Sequence, residues 1–516
     1  MKSKAIISFL GLAIFCLGSC AQSSQSAIKP SSEDSSSAPI SSSEERNPDG
    51  VYDFYAINDF HGSILERYNG DYYEPGLSKL GGRLKYLKNL SPDNSFILSS
   101  GDSFQGSLES NYYYGMPVVE AMNQIGFSSM TLGNHEFDYG QDKLLALSEA
   151  ADFPFLAGNI KAWENGAVNY DVNPLPYACS TTVSQGNVKV GIVGCIGSGQ
   201  TTSITSKYVS DLSFVSPVDI AKDEGKRLRE EEDCDIVILS LHDEAKAIRY
   251  ESDLKDSFDA IFAAHSHDLE RYESSGVPIL QGSCNGRYIS HAQLTIEDGE
   301  VSCSLYENIQ ADESWEEDEQ LNELLSIYLD AEEFSSLSEK KLGSIYGYLD
   351  RGGIARLGCK AIFEKYRDYD DDGEDDIVLA MQNSQRATLG SGGTTTEFTY
   401  SDLYKCTPFM NEITIIKATG SQIKAEARYN YSYSSSESLS LENNEYYEIA
   451  VIDYLAYHQN NSKEYDYFPS MEDPTNVLAE FPTYPVDLSA EYIVDTLGGK
   501  LVYSDFASTS PGFNSL

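Results

Sequence analysis

A short polar loop follows a buried strand-like run in the first third of the chain, and the same arrangement recurs. The apolar run Met130 to Leu132 leads directly into the loop Gly133 to Asp138, which carries an amide, an imidazole and two carboxylates. Loops at strand ends are where rigid scaffolds place binding and catalytic groups. Four other predicted strands also end in loops with Asp or His, so this repeated pattern constrains the fold more than any single motif.

Strands and helices alternate from Val51 onward. Apolar runs such as Phe96 to Leu98 and Ile236 to Leu239 predict buried strands, and leucines at helical spacing between Leu77 and Leu90 predict a helix. Such alternation is typical of an α/β layered domain. Further strands are predicted at residues 51–57, 154–157, 188–193, 258–264 and within 277–294, and further helices at residues 118–125, 143–151 and 218–232.

A length of 516 residues exceeds what one hydrophobic core organises, so two or more domains are expected. An acidic helix with an apolar face is predicted at residues 316–333, as the connection to a Tyr-rich α+β region. The predicted organisation is a signal segment at residues 1–20, a disordered Ser-rich tether at 21–49, an α/β domain at 50–312, a linker helix at 313–341 and a second domain at 342–516.

The N-terminus has the order of an export signal. Lys2 and Lys4 precede the apolar run Ala5 to Leu17, and Cys20 follows in a segment that resembles a bacterial lipobox. Lipidation of Cys20 would hold the protein on the outer side of a membrane through buried lipid chains. The alternatives are an ordinary cleaved signal peptide and a short anchor helix, and the Ser-rich tract favours the lipoprotein.

Charge and cysteine content exclude some function classes. The formal net charge of −45 argues against a binder of nucleic-acid duplexes, because phosphate backbones are held by basic surfaces. A phosphate-bearing substrate stays compatible with this charge if metal cations supply positive charge locally. The cysteines beyond the signal segment are scattered without Cys-x-x-Cys pairs, which indicates neither a zinc knuckle nor a dense disulfide framework.

Most of the histidines share one topological position. Five of the seven lie in the strand-end loops, where they are joined by two aspartates and an asparagine. Imidazole and carboxylate together suit zinc, manganese, cobalt or iron. The number of ligands exceeds what one ion needs, so two divalent ions sharing a carboxylate explain it better; such a pair can clamp both oxygens of an in-line phosphoryl displacement. The residues are His61, His135, His242, His265 and His267, with Asp59, Asp102 and Asn134.

These loops carry a family resemblance. Five motifs in this order resemble those of the calcineurin-like metallophosphoesterases, and specifically the 5′-nucleotidase family with its UDP-sugar hydrolases and cyclic-nucleotide phosphodiesterases. The resemblance implies a four-layer α/β/β/α domain followed by a separate α+β substrate-binding domain. The motifs are Asn58 to Gly62, Gly101 to Gly106, Gly133 to Asp138, Ser240 to His242 and His265 to His267.

The resemblance also implies roles for these residues. A water activated by two ions would attack phosphorus, and His135, oriented by Asp138, would stabilise the transferring group and aid the leaving oxygen. Glu136 is an alternative partner for His135, which geometry must decide. The implied ligands are Asp59, His61, Asp102 and His267 for the first ion, and Asp102, Asn134, His242 and His265 for the second.

The C-terminal region departs from the family pattern. Phe409 corresponds to a base-stacking ring with Asn411 near the base, and Asn383 and Arg386 stand where the family has an Asn and Arg run with intervening glycines. The glycine-rich loop of a second ring is replaced by a segment in which Tyr465 or Tyr467 is the expected ring. The expected function is phosphate removal from extracytoplasmic nucleotides. The alternatives are a UDP-sugar hydrolase, a 2′,3′-cyclic-nucleotide phosphodiesterase and a non-catalytic surface binding lipoprotein.

One acidic loop lies outside the family pattern. Its spacing Asp-x-Asp-x-Asp-Gly-x-x-Asp places alternate carboxylates around a glycine turn, which can wrap a calcium ion. Leu379 stands where a calcium-binding loop would end with Glu, and the alternative is a solvated acidic loop. The candidate calcium ligands are Asp368, Asp370, Asp372 and Asp376.

Overall fold

Two stacked sheets form the centre of the region up to Gln310. The structure is a computed structural model that describes residues 47–69, 72–274, 276–436 and 439–506, so Cys20 and most of the proposed tether lie outside the described residues. In spatial order the first sheet contains Glu300–Gln310, Tyr288–Glu297, Gly50–Ile57, Ser95–Ser99, Ser129–Thr131 and Phe155–Leu156, and the second contains Leu269–Ser274, Val277–Gly282, Ala260–Phe262, Ile236–His242, Val188–Ile196 and Ser180–Gln185.

The central strands of both sheets are parallel. Antiparallel strands form both edges of the second sheet and one edge of the first, whose other edge is the parallel strand Phe155–Leu156. Side chains alternate between the two faces of a strand. Phe54 and Phe96 of the first sheet therefore pack against Val190 and Ile238 of the second in a core between the sheets. The opposite face of the second sheet is covered by the helix Pro217–Glu230. Helices also cover the first sheet, which confirms the predicted α/β layering.

The helix Gly76–Leu90 forms as the leucine spacing predicts. Leu77, Leu80, Leu84 and Leu87 are buried against the first sheet and the helix Met116–Ile125, whereas Leu90 is exposed. The prediction of one connecting helix at residues 316–333 is wrong in one respect. The structure has two helices there, Glu319–Leu329 and Glu332–Ser338, separated by Asp330 and Ala331. The first begins where the Asp318 side chain accepts a hydrogen bond from the Leu321 amide, and it packs against Gly76–Leu90.

The C-terminal region contains two further sheets around the long, buried helix Arg351–Tyr366. The carboxylate of Asp350 caps this helix by accepting a hydrogen bond from the Gly353 amide at 2.7 Å. One sheet contains Leu389–Thr399, Lys341–Leu349 and Lys500–Val502, and the other contains Tyr431–Tyr433, Leu379–Gln382, Tyr446–Ile452, Ile413–Thr419 and Val477–Phe481. Domain boundaries at residues 312 and 342 stay a prediction, since the described residues between 47 and 506 form one compact unit.

Smaller elements complete the described chain. Among the helices of these residues, none is long and apolar enough to cross a membrane. Small strands form a sheet of Leu212–Phe214, Ile160–Glu164 and Ala167–Asn169 and a hairpin of Arg67–Asn69 and Tyr72–Glu74. The remaining helices are Leu108–Asn111, Gln141–Ala150, Ala245–Ile248, Tyr400–Cys406, Gly420–Glu426, Asp453–Ala456, Pro485–Glu491 and Tyr503–Phe506, with shorter or irregular turns at His135–Phe137, Ser198–Ser203, Ser206–Tyr208, Leu254–Asp256, Pro469–Glu472, Pro474–Asn476 and Tyr492–Thr496.

Candidate active site and metal centre

The polar strand-end loops converge at one edge of the two sheets. Because the parallel strands of each sheet end on the same side, their following loops meet there. The structure brings six of the seven proposed ligands into two groups whose ligand atoms lie within 4.8 Å of one another. Asn134 contacts the second group. The groups are Asp59 with His61 and His267, and Asp102 with His242 and His265.

In the first group, the two imidazoles face each other through their Nε2 atoms. His61 Nε2 lies 2.9 Å from His267 Nε2, which in turn lies 3.6 Å from Asp59 Oδ1. The other ring nitrogen of His61 is 2.9 Å from the main-chain oxygen of Gln105, so Nδ1 carries the proton and donates it. The Nε2 lone pair of His61 is therefore directed into the group, as metal ligation requires.

The second group repeats this arrangement. His242 Nδ1 donates to the main-chain oxygen of Ser100 at 2.8 Å, which leaves Nε2 facing Asp102 Oδ2 at 3.3 Å and Asn134 Oδ1 at 3.2 Å. The amide oxygen of Asn134 also lies 3.1 Å from His265 Nδ1. Side chains at Gly101 and Gly133 would collide with His242, so both glycines are required for this close approach.

Five of the candidate ligands have left-handed backbone conformations, which non-glycine residues rarely adopt. Hydrogen bonds hold the strained loops in place: the Asp59 amide donates to the main-chain oxygen of Gly101 at 3.0 Å, and the His61 amide donates to the main-chain oxygen of Asp102 at 2.9 Å. Strain of this kind persists where surrounding structure over-determines it, and it clusters at functional sites. The φ angles are 48° at Asp59, 51° at His61, 53° at Asp102, 75° at His265 and 61° at His267.

The electrostatics of the two groups suit a cation. Burial lowers the pKa of both His265 and His267 to about 4, so these rings are neutral and able to ligate. Burial also lowers the pKa of His242, but the carboxylates around it, chiefly Asp102, outweigh that effect and raise the pKa to about 10. The carboxylates therefore stabilise positive charge at this point of the site. Convergent ligand atoms and this stabilisation of positive charge both fit bound divalent metal.

The geometry decides between the two carboxylates beside His135. His135 Nδ1 lies 2.7 Å from Asp138 Oδ2. Glu136 is fully buried and instead accepts main-chain N–H bonds from Asp102, Ser103 and Gly133, at 2.8, 2.8 and 2.7 Å. Glu136 thus holds the two ligand-bearing loops together. Burial alone would lower the pKa of His135, but the carboxylates of Asp138 and Asp102 raise it above its ordinary value.

A cavity of about 310 Å³ opens beside the ligand groups and His135. The C-terminal region contributes Asn383, Phe409 and Asn411 to its walls, so the structure brings these predicted residues to the candidate centre. The guanidinium of Arg386 lies 5.4 Å from the ring centre of Phe409. Its positive charge is close enough to lower the pKa of His61, a second cause after burial.

The structure places the predicted second ring elsewhere. Tyr465 and Tyr467 are not among the lining residues of this cavity in the described part of the chain. Tyr467 stacks on His458, with ring centres 3.6 Å apart and planes 3° apart. Tyr454 lines the cavity instead, and its hydroxyl donates to the main-chain oxygen of Thr202 at 3.1 Å. Sequence reasoning missed Tyr454 because a region rich in Tyr offers no local motif that marks one ring.

Ser203 and Thr205 line the same cavity from the N-terminal region. The sequence did not predict them, since they lie in short turns without a recognisable motif. The acidic loop is compact: three carboxylates, those of Asp368, Asp370 and Asp376, lie within 4.8 Å of one another. Asp372 turns away from them to accept a hydrogen bond from the Glu374 amide at 2.8 Å.

Comparison with known proteins is consistent with this geometry. Residues 52–269 match the family model described as calcineurin-like phosphoesterase. The chain is 24% identical over 415 residues to endonuclease YhcR of Bacillus subtilis strain 168, covering 72% of this chain but only 32% of that protein. It is 24% identical over 391 residues to the snake venom 5′-nucleotidase of Naja atra, covering 68% of this chain and 71% of the venom protein.

A solved structure extends the likeness to most of the chain. A 5′-nucleotidase precursor from Thermus thermophilus superposes with a TM-score of 0.69, covering 88% of this chain and 97% of that one. At 17% identity this superposition establishes the fold alone.

The fold, the converging ligand groups and the family match define the class: the chain contains a calcineurin-like phosphoesterase domain. Relatives among the 5′-nucleotidases support the narrower family to which the motifs point. The calcineurin-like phosphoesterase domain expected from the strand-end motifs is confirmed.

Proposed function

We propose that the chain is a metal-dependent phosphohydrolase that removes phosphate from nucleotides outside the cytoplasm. The observation that carries the proposal is a single cavity bordered by residues of both ligand groups, the His135–Asp138 pair and the Phe409 ring. Ligands for metal, a general acid and an aromatic platform are the groups that hydrolysis of a nucleotide phosphate needs.

Two divalent ions are proposed for the two ligand groups. Asp59, His61 and His267 would hold one, and Asn134, His242 and His265 the other, with Asp102 shared between them. When bound, such ions neutralise phosphoryl charge and lower the pKa of bound water. The Nε2 atoms of His61 and His242, which face into the groups because each Nδ1 bonds a main-chain oxygen, support this assignment.

His135 is proposed as the residue that acts on the phosphoryl group. Its Nδ1 is engaged by Asp138, which leaves Nε2 available to donate a proton. The raised pKa of this imidazole favours the protonated form, which would stabilise charge on the phosphoryl oxygens and protonate the leaving oxygen.

The nucleoside is proposed to lie between Phe409 and Tyr454, with Asn383 and Asn411 as polar contacts. Arg386 would attract the phosphate from the side of His61. Base stacking on aromatic rings is favourable for every base. This assignment replaces Tyr465 and Tyr467 by Tyr454, because stacking on His458 occupies Tyr467.

An extracytoplasmic location with a lipid anchor at Cys20 is proposed from the sequence, in which basic residues, an apolar run and a lipobox-like segment follow one another. Globomycin-sensitive processing of the precursor, followed by mass spectrometry of the mature N-terminus, tests it. An unmodified residue at a different N-terminus would contradict lipidation.

Two enzymatic alternatives use the same centre: hydrolysis of UDP-sugars and of 2′,3′-cyclic nucleotides. A non-catalytic nucleotide-binding protein is the third. Phosphate release from AMP, ADP, UDP-glucose and 2′,3′-cyclic AMP, measured with Mn²⁺ or Zn²⁺ and with chelator, separates them. We expect release that chelator abolishes.

His135→Ala should lower that release by a factor of about one hundred or more, the scale of losing an acid or electrostatic catalyst. His291→Gln is the matched control, since His291 is buried in the first sheet and bonds Asp53 at 2.8 Å, away from the cavity. If wild-type protein with metal releases phosphate from none of the substrates, the binding protein is the better assignment.

We further propose that the loop Asp368 to Asp376 binds one calcium ion. Oδ1 of Asp368 is buried and has no hydrogen-bond partner among the described residues, although two further carboxylates lie beside it. Titration calorimetry with Ca²⁺ on wild type and on Asp370→Asn combined with Asp372→Asn tests the site. Glu374→Gln, outside the carboxylate cluster, is the control. Equal Ca²⁺ binding by wild type and the double variant would contradict the proposal.

A further inference from the structure

The main-chain oxygen of Pro408 accepts hydrogen bonds from two side chains of the phosphoesterase domain. Gln105 Nε2 donates to it at 2.9 Å and Asn111 Nδ2 at 3.0 Å. Gln105 and Asn111 are 0% and 1% exposed. Pro408 immediately precedes Phe409, the ring that lines the cavity. We call the segment Pro408 to Asn411 the Phe409 loop.

Gln105 also holds a candidate metal ligand. Its main-chain oxygen accepts the Nδ1 proton of His61 at 2.9 Å, while its side chain reaches Pro408. The following residue, Gly106, packs so tightly that an added Cβ would lie 2.6 Å from the His61 main-chain oxygen. Gln105 thus contacts both the metal side and the substrate side of the cavity.

Asn111 has its hydrogen-bonding capacity fully used. Its Oδ1 accepts from the Tyr139 hydroxyl at 2.7 Å and from the Gly106 amide at 3.0 Å. Its Nδ2 donates to the Tyr404 hydroxyl at 2.8 Å as well as to Pro408. Tyr139 follows Asp138, the partner of His135. A buried amide with every donor and acceptor satisfied specifies one orientation of its neighbours.

We propose that Gln105 and Asn111 are positioning residues that dock the Phe409 loop onto the metal centre and so set the distance between the base-binding ring and His61. The use of the loop for nucleotides rests on the proposed function, whereas the docking itself does not. The recognised partner is one carbonyl of the same chain. Displacing that carbonyl would leave two buried N–H donors without acceptors, which makes the docked position the favoured one.

Two near-isosteric variants remove the donors separately. Gln105→Met removes the side-chain donor and keeps the main-chain oxygen for His61. Asn111→Asp keeps the acceptor for Tyr139 and loses both donated bonds. For each we expect the ratio of kcat/KM for AMP to kcat/KM for p-nitrophenyl phosphate, which lacks a base, to fall by about tenfold, the scale of losing the one buried hydrogen bond that each side chain donates to Pro408. The fall should appear mainly in KM for AMP.

Asn159→Asp is the matched control, because Asn159 is a buried amide that bonds the main chain of Ile196 and Val215 and does not line the cavity. It should leave the substrate ratio at the wild-type value even if it lowers Tm. In the Phe409→Ala background, Gln105→Met and Asn111→Asp should change the ratio by less than about twofold, because the group they position is gone.

Hydrogen–deuterium exchange of residues 409–412 provides a readout that needs no substrate. Both variants should exchange these amides faster than wild type, and Asn159→Asp should not. Unchanged exchange, or equal losses on AMP and the small ester, would overturn the docking proposal. If wild type fails to hydrolyse AMP yet both variants speed exchange, the proposed function fails while the docking stands.

Discussion

A lysine ion pair offers a quantitative test of how the C-terminal region is held against the phosphoesterase domain. Lys207 Nζ lies 2.6 Å from Asp453 Oδ2 and 2.8 Å from Glu412 Oε2. Asp453 is 1% exposed, whereas the other two side chains are partly exposed. Replacing Lys207 by Met keeps most of the packing and leaves Asp453 buried without its cation.

The expected magnitude follows from burial and distance. At 2.6 Å and an effective dielectric constant of about 20, the attraction is about 6 kcal/mol before desolvation is subtracted. Removing one member of a buried pair costs about 3–5 kcal/mol. Because the Lys207 side chain is 21% exposed, we take the lower end, about 3 kcal/mol at pH 8.

The cost should depend on pH through Asp453. Burial raises its pKa from 3.8 to about 6, against the opposing effect of Lys207. A carboxyl whose pKa is raised by folding destabilises the folded state above that pKa, and protonation relieves the destabilisation as pH falls through it. Lys207 itself is charged at both pH values, since its pKa is raised. Lys207→Met should therefore cost less at pH 5 than at pH 8.

Thermal unfolding followed by calorimetry measures the difference. With an unfolding entropy of about 1 kcal/mol per kelvin for a unit of this size, 3 kcal/mol lowers Tm by about 3 °C at pH 8, and about 1 °C is expected at pH 5. Asp453→Asn in the Lys207→Met background should recover most of the loss. Lys341→Met is the control, since Lys341 is 79% exposed in its pair with Glu397 and should shift Tm by under about 1 °C. Equal shifts at both pH values would refute the argument.

Further predictions concern residues around the cavity. Glu136→Gln replaces a carboxylate that accepts hydrogen bonds from three main-chain amides. It should weaken Mn²⁺ binding by about tenfold in titration calorimetry, although Glu136 belongs to neither ligand group. Asp138→Asn should lower kcat by about tenfold or more with little change in KM, because His135 loses its charged partner. Tyr454→Ala should raise KM for AMP by about tenfold in steady-state kinetics, the scale of one stacked base, while Tyr454→Phe keeps the ring and should raise it less.

Much of the fold and the ligand set could be predicted because both depend on local periodicity and one topological rule. Leucine spacing locates the helix Gly76–Leu90, and apolar runs locate the parallel strands. Since parallel strands end at the same edge, ligands in different loops are expected to meet even though Asp59 and His267 are far apart in the chain. The structure brings those two side chains to within 3.6 Å.

The substrate side could not be predicted equally well, because it depends on contacts between distant segments. Nothing in the sequence around Tyr454 distinguishes it from Tyr467; the difference arises when His458 stacks on Tyr467 and Thr202 accepts the Tyr454 hydroxyl proton. The break in the connecting helix at Asp330 is similar, since the apolar spacing continues through Tyr328 and Leu329 and gives no stop signal such as Gly or Pro.

The left-handed conformations of five candidate ligands depend both on local sequence and on contacts between distant segments. Such conformations cost free energy, of order 1–3 kcal/mol each in sparsely populated regions, so interactions elsewhere must stabilise them. The Glu136 carboxylate accepts hydrogen bonds from three main-chain amides in loops that carry ligands, and the His265 amide donates to Asp59 Oδ2 at 2.9 Å. The ligand geometry is therefore built by the protein's own hydrogen bonds. Consequently, metal affinity should depend on residues such as Glu136 that contact the loops and not the ion. If Glu136→Gln weakens metal binding, the centre is preorganised by the protein; if it does not, the metal itself assembles the centre.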